Sequence, residues 1–141
     1  MQVKGDGIMA LEWSNELYST GYDEIDNDHR KIFGMVNELL DGLRNKDLDK
    51  AMADSLAFLE IHTIEHFRYE EKLMKDTRCI VCGQNKREHL QFEKKLWNFK
   101  SSFQDDGYNR GNLSEFLNFI ASWITDHIQK TDIHLRSTKV Q

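Results

Sequence analysis

The sequence predicts an all-α protein, an up-down-up-down antiparallel four-helix bundle with an N-terminal arm. Three observations predict it. Four segments carry apolar residues at three- and four-residue steps, the period of a helix buried along one stripe. The connections between these segments are short, which makes successive helices antiparallel neighbours. The 141 residues contain no proline, so nothing of that kind breaks a long helix.

Residues 1–21 read as the arm, with Trp13, Leu17 and Tyr18 expected to pack along the bundle. The first helix, about 22–45, carries Ile25, Ile32, Phe33, Val36, Leu39, Leu40 and Leu43. The second, about 48–76, places Met52, Leu56, Leu59, Phe67, Leu73 and Met74 on one broad face. The third, about 83–105, carries Phe92, Leu96, Phe99 and Phe103 and ends at "DDGYNRG". The fourth, about 112–136, carries Phe116, Leu117, Ile120, Ile124 and Ile128, with Ser114 and the acid after it marking a start. Each helix spans roughly 30–40 Å at 1.5 Å per residue. No internal repeat and no low-complexity tract divides the chain, so residues 1–141 are expected to form one domain.

A net charge of −5 and a pI near 5.7 argue against nucleic acid, whose phosphates demand a basic face. No stretch of 18 apolar residues predicts a membrane span, and the N-terminus has no signal-peptide pattern, so a cytoplasmic protein is expected. Cys79 and Cys82 form a lone C-x-x-C. Two thiols fall short of the four ligands of a structural zinc site, and no βαβ pattern supports a thioredoxin-type role. They read as two reduced thiols at a turn, or else as a redox-switchable disulfide.

The histidines carry the functional signal. Of six, His29 lies between Ile25 and Ile32, His66 beside Phe67, His89 three before Phe92, and His127 three after Ile124. Each helix thus places one histidine on its inward face. A lone core histidine is usually a hydrogen-bonded core residue, but four at once would each need a buried partner, and a shared metal cluster satisfies all four. Glu70 lies one turn beyond His66 on the same face. Asp132 lies five residues beyond His127, about 140° away on an ideal helix. Both face one site only if the helix widens or ends there, and a π-bulge between them is predicted. Imidazoles mixed with carboxylates suit iron, and six donors exceed the tetrahedral set of one zinc.

These residues resemble the hemerythrins, non-haem di-iron proteins. The likeness runs from Trp13 to Asp132: "WSNELYSTGYDEIDNDH" at the first helix, "HFRYEEKLM" from His66, "HLQF" from His89, and Trp123 through Asp132. The resemblance implies that His29 and His66 ligate one iron, the one open to O2. It implies that His89 and His127 ligate the other, with Glu70, Asp132 and an oxo or hydroxo group as bridges. It implies O2 as the ligand, bound end-on at the open iron, with Ile124 and its apolar neighbours as pocket walls, and a binding role rather than an enzymatic one.

The chain departs from the family at "NKREH", where Asn85 stands in place of the first of two histidines expected on the third helix. Its carbonyl is a weaker donor than imidazole, so Asn85 is a weak ligand, or water fills the position, or the position is vacant. Each outcome favours an oxygen or redox sensor over a carrier. An O2 carrier or storage protein is the alternative, and a C-terminal signalling output domain in a longer chain is a further expectation. His62, about 6 Å beyond His66 on the side away from Glu70, is expected to be a hydrogen-bonding or pocket residue or else a bystander, and His134 a surface residue. His62, Glu65 and His66 also spell the H-x-x-E-H of a class of zinc peptidases, with Glu65 as base. On a helix Glu65 projects about 100° from His66, which makes this a distant alternative.

Overall fold

Local charge and hydroxyl chemistry set where the helices begin and end. The computed structural model describes residues 3–4, 7–8, 10–45 and 47–139. Val3–Lys4 pairs antiparallel with Gly7–Ile8. A single turn, α1 (Asn15–Tyr18), is capped by the Ser14 side chain. Then α2 (Asp23–Asn45) opens with Asp23, Glu24 and Asp26 in its first turn, where acids complement the helix dipole. Buried Asp26 also accepts hydrogen bonds from the Ser19 hydroxyl and from the Thr20 amide and hydroxyl, which ties the arm to the helix start. Trp13, Tyr18 and Phe33 form an aromatic cluster with centroids 5.0–5.5 Å apart. Leu17, expected to pack with them, is exposed, because the single turn of α1 turns it to solvent.

The second rod is not one continuous α-helix. It consists of α3 (Leu48–Phe58), a π-helical turn over Leu59–Thr63, and α4 (Ile64–Asp76). The third rod is α5 (Cys82–Asp106), ended by Gly107 at φ 70°. The fourth is α6 (Arg110–Lys130). It starts earlier than Ser114 because Asn109 and Asn112 cap each other's backbone amides in a reciprocal capping box. It also ends earlier than predicted: Thr131 closes it, and Asp132–Thr138 is a 3-10 helix. α2 packs against α3 and α6, and α4 packs against α5.

Two apolar clusters result. The larger includes Ile32, Phe33, Val36, Leu39, Leu59, Phe67, Phe92, Ile120 and Ile124; the smaller is Ile25, Met74, Cys79 and Leu135. Along α2 the order is Ile25, His29, Ile32, and along α4 it is Phe67, Glu70, Met74. A buried polar layer therefore separates the clusters. The thiols of Cys79 and Cys82 are free, and the Cys82 amide donates to the Cys79 carbonyl in a tight turn. No helix among the described residues is long and apolar enough to cross a membrane.

Gly42 lets α2 and α3 approach closely: a Cβ built there would stand 2.3 Å from the Ala51 Cβ. Gly42→Ala is expected to lower stability by about 1–2 kcal/mol in urea denaturation, because an overpacking cost of about 2–3 kcal/mol outweighs the roughly 1 kcal/mol gain in helix propensity. An unchanged or raised midpoint would count against this packing.

Candidate metal centre

Four histidines and two carboxylates converge in the polar layer. His29, His66, Glu70, His89, His127 and Asp132 are all buried. His29 projects from α2, His66 and Glu70 from α4, His89 from α5 and His127 from α6. Asp132 is the first residue of the 3-10 segment. The predicted π-bulge between His127 and Asp132 is absent. The Thr131 amide still bonds the His127 carbonyl, and the His134 amide then bonds Thr131 in the tighter pattern. Ending the α-helix, not widening it, swings Asp132 inward. Among the described residues the π turn lies instead at Leu59–Thr63.

The orientation of each ring follows from what lies behind it. His66 Nδ1 is 2.8 Å from Asp28 Oδ2, His89 Nδ1 is 2.8 Å from Glu71 Oε2, and His127 Nδ1 is 2.6 Å from Glu88 Oε1. A carboxylate only accepts, so each Nδ1 carries a proton and a neutral ring turns its Nε2 lone pair inward. These acids are themselves held. Arg68 donates to Glu71, and Gln84 and Thr131 donate to Glu88. Carboxylates placed behind imidazoles in this way orient metal-binding histidines and raise their basicity.

On the inner side the donors crowd. His29 Nε2 and His66 Nε2 are 3.2 Å apart, as are His89 Nε2 and His127 Nε2. Glu70 divides between the pairs: Oε2 lies 3.4 Å from His29 and 3.3 Å from His66, and Oε1 lies 3.0 Å from His89 and 3.6 Å from His127. Asp132 does the same, with Oδ2 3.2 Å from His29 and Oδ1 3.0 Å from His127. Despite these distances, Glu70 Oε2 and both Asp132 oxygens lack a hydrogen-bond partner. Atoms this close but not aimed at one another are aimed at points between them. Donors bound at about 2.1 Å to one ion stand about 3.0–3.4 Å apart, so the donor set fits metal ions. Two groups of three, His29–His66–Glu70 and Glu70–His89–His127, have the spacing to hold one ion each, sharing Glu70.

The two halves differ. The Phe67 ring stacks on His89 at 3.9 Å and Trp123 stacks on His127 at 4.4 Å, while the closest ring to His29 is His66, edge-on at 4.9 Å. His29 Nδ1 is buried and has no partner. Asn85, one turn before His89, is buried with both amide atoms unpartnered. Ile124 is buried in the larger apolar cluster.

His62 stands outside this arrangement. It is exposed, sits against Phe58 at 5.2 Å, and lines an outer groove with Asp28, Glu65 and the outer edge of His66. The π turn places His62 on the outer face, so it belongs to this groove and not to the inner donor set. Glu65 is exposed too, so the three residues of H-x-x-E-H do not meet around one ion. His134 is half-buried rather than on the surface, drawn in by the 3-10 turn. Sequence reasoning missed Asp28, Glu71 and Glu88. The available signal was adjacency, since each neighbours an inward candidate ligand in the chain and so points sideways into the next helix.

A family model described as the hemerythrin HHE cation binding domain matches residues 20–135. The chain belongs to the hemerythrin family. It is 32% identical over 127 residues to a bacteriohemerythrin of Clostridium acetobutylicum, covering 85% of this chain and 94% of that one. It is 31% identical over 122 residues to a bacteriohemerythrin of Pseudomonas aeruginosa, covering 86% and 76%. Myohemerythrin-1 of Phascolopsis gouldii is 27% identical over 118 residues, covering 84% and 86%. The fold matches a crystal structure of a hemerythrin mutant with a TM-score of 0.72 at 22% identity, over 91% of this chain and 99% of that one.

In the metal-free chain the surrounding carboxylates favour protonated imidazoles. Burial opposes charge on His66, but the Asp28 and Glu70 carboxylates prevail and raise it to about 9. His29 and His127 are raised by the same contest against Asp132 and Glu70. Burial pushes Glu88 up, yet His127, Thr131 and Gln84 bring it down to about 2. A raised histidine contributes stability that is complete below about 6.5 and lost as pH rises through 9. The lowered Glu88 contributes stability that is complete above about 4.5 and lost as pH falls toward 2. Chelator-treated protein is expected to show a urea midpoint that falls from pH 6.5 to 9, and a flat profile would contradict this assignment.

Proposed function

We propose that this chain is a non-haem di-iron domain that binds or reacts with O2 and serves as an oxygen or redox sensor. The observation that carries the reading is the division of Glu70 and Asp132, each with one oxygen toward each side of the site. His29 and His66 would hold one iron and His89 and His127 the other, with both carboxylates bridging. Imidazoles mixed with carboxylates suit iron, and six donors exceed what one tetrahedral zinc takes. When bound, the iron pair supplies the electrons that O2 accepts. The residues of the chain hold the donor lone pairs inward through Asp28, Glu71 and Glu88. The apolar layer around Ile124, Phe67 and Trp123 keeps water out.

Iron quantification with visible spectra of the reduced protein, before and after O2, tests the reading. Two irons per chain and an O2-dependent charge-transfer band are the expected result. Iron-free protein without a band would overturn it.

Asn85 favours sensing over carriage. It supplies at most a neutral amide oxygen where the family resemblance expects an imidazole, which leaves the second iron position more exchangeable. Asp132 opens the 3-10 segment that would lead to a C-terminal output module, so a change at the metal pair has a covalent route outward. An O2 carrier is the alternative. Asn85→His is expected to slow oxidation of the reduced centre and lengthen O2 retention severalfold in stopped-flow spectroscopy. Equal lifetimes in the two proteins would favour the carrier.

A further inference from the structure

The inward face of α4 and the turn before it reads Leu59, Thr63, His66, Glu70, Met74, all buried. Thr63 is the polar member on the side of His66 away from the bridging carboxylate. Its hydroxyl has no partner.

That is unusual for a buried hydroxyl on a helix, which normally donates to the carbonyl four residues back. Ser55 does so to Ala51 at 2.7 Å, Thr77 to Leu73 at 2.8 Å, and Thr125 to Ala121 at 2.9 Å. For Thr63 that carbonyl belongs to Leu59, which in the π turn accepts from the amide of Ile64, five residues on, and not from the Thr63 hydroxyl. π turns occur mostly as single-turn insertions in α-helices and are frequent at functional sites.

The antiparallel topology decides what shares the level of Thr63. α4 runs opposite to α2, so one turn before His66 corresponds to one turn after His29, at Ile32 and Phe33. On α6 the same level is Ile124, and on α5 it is Phe92. All four are apolar and buried. Thr63 thus contributes a free hydroxyl to an apolar layer that covers the His29–His66 half. The other half is closed from that side by the rings stacked on His89 and His127.

We propose that the Thr63 hydroxyl is a specificity-determining donor that hydrogen-bonds a small oxygen- or nitrogen-terminated ligand held over His29 and His66. The assignment rests on the di-iron reading above. A ligand there meets one donor in an otherwise apolar layer, which selects small anions and O2-sized molecules with an exposed acceptor atom and disfavours purely apolar ones.

The test uses iron-loaded wild type, Thr63→Val and Thr63→Ser, each first checked for iron content, with azide as the probe. Spectrophotometric titration is expected to show azide binding about tenfold weaker in Thr63→Val, the loss of one hydrogen bond to a charged group. Thr63→Ser is expected to recover most of it. Metal-free Thr63→Val is expected to melt at or above the wild-type temperature, since the valine removes an unpartnered buried hydroxyl without changing shape. Equal azide affinity with two irons per chain in all three proteins would overturn the assignment and leave the di-iron reading standing. A metal-free Thr63→Val that melts well below wild type would also overturn it, by revealing a structural partner. Wild type without iron would sink both.

Discussion

The rest of the structure depends on one constraint: six electron-rich donors are buried with their lone pairs facing one another. Burying a carboxylate costs several kcal/mol even after the protein relaxes, and this core buries Glu70 and Asp132 side by side. Only positive charge between them offsets that cost. Protons supply it in the metal-free chain, as the raised His29, His66 and His127 indicate. Metal ions would do so with better geometry, because the donors are spaced for coordination rather than aligned for hydrogen bonding. Folding, protonation and metal binding are therefore linked in one layer.

That layer is braced helix by helix. Asp28 of α2 backs His66 of α4, Glu71 of α4 backs His89 of α5, and Glu88 of α5 backs His127 of α6. Each acid sits beside an inward donor and is rotated about 100° from it, toward the neighbouring helix. The chain of supports stops before returning to α2, since His29 Nδ1 has no partner. His29 is held by packing and by its inner contacts alone. The bracing is thus weakest in the half that the apolar layer and Thr63 cover.

Two departures from regular α-helix complete the site. The π turn at Leu59–Thr63 rotates the rod so that His62 faces out while Thr63 faces in. The switch from α to 3-10 after Lys130 brings Asp132 back to the face of His127. Each solves the same problem, namely that 3.6 residues per turn will not carry all the required side chains inward.

Much of this was legible in the chain. The apolar stripes of α2, α5 and α6 are buried much as their periodicity predicts, and the six converging donors stand out as polar residues on apolar faces. Helix ends were less legible, because the reciprocal bonds of Asn109 and Asn112 look like any polar loop. Tertiary structure alone decided which imidazole nitrogen turns inward, since that depends on a carboxylate from a different helix. It also decided how Asp132 reaches the site and where the π turn falls. Periodicity records which face of a helix is buried. The exact rotation of each turn is set by what the neighbouring helices press against it.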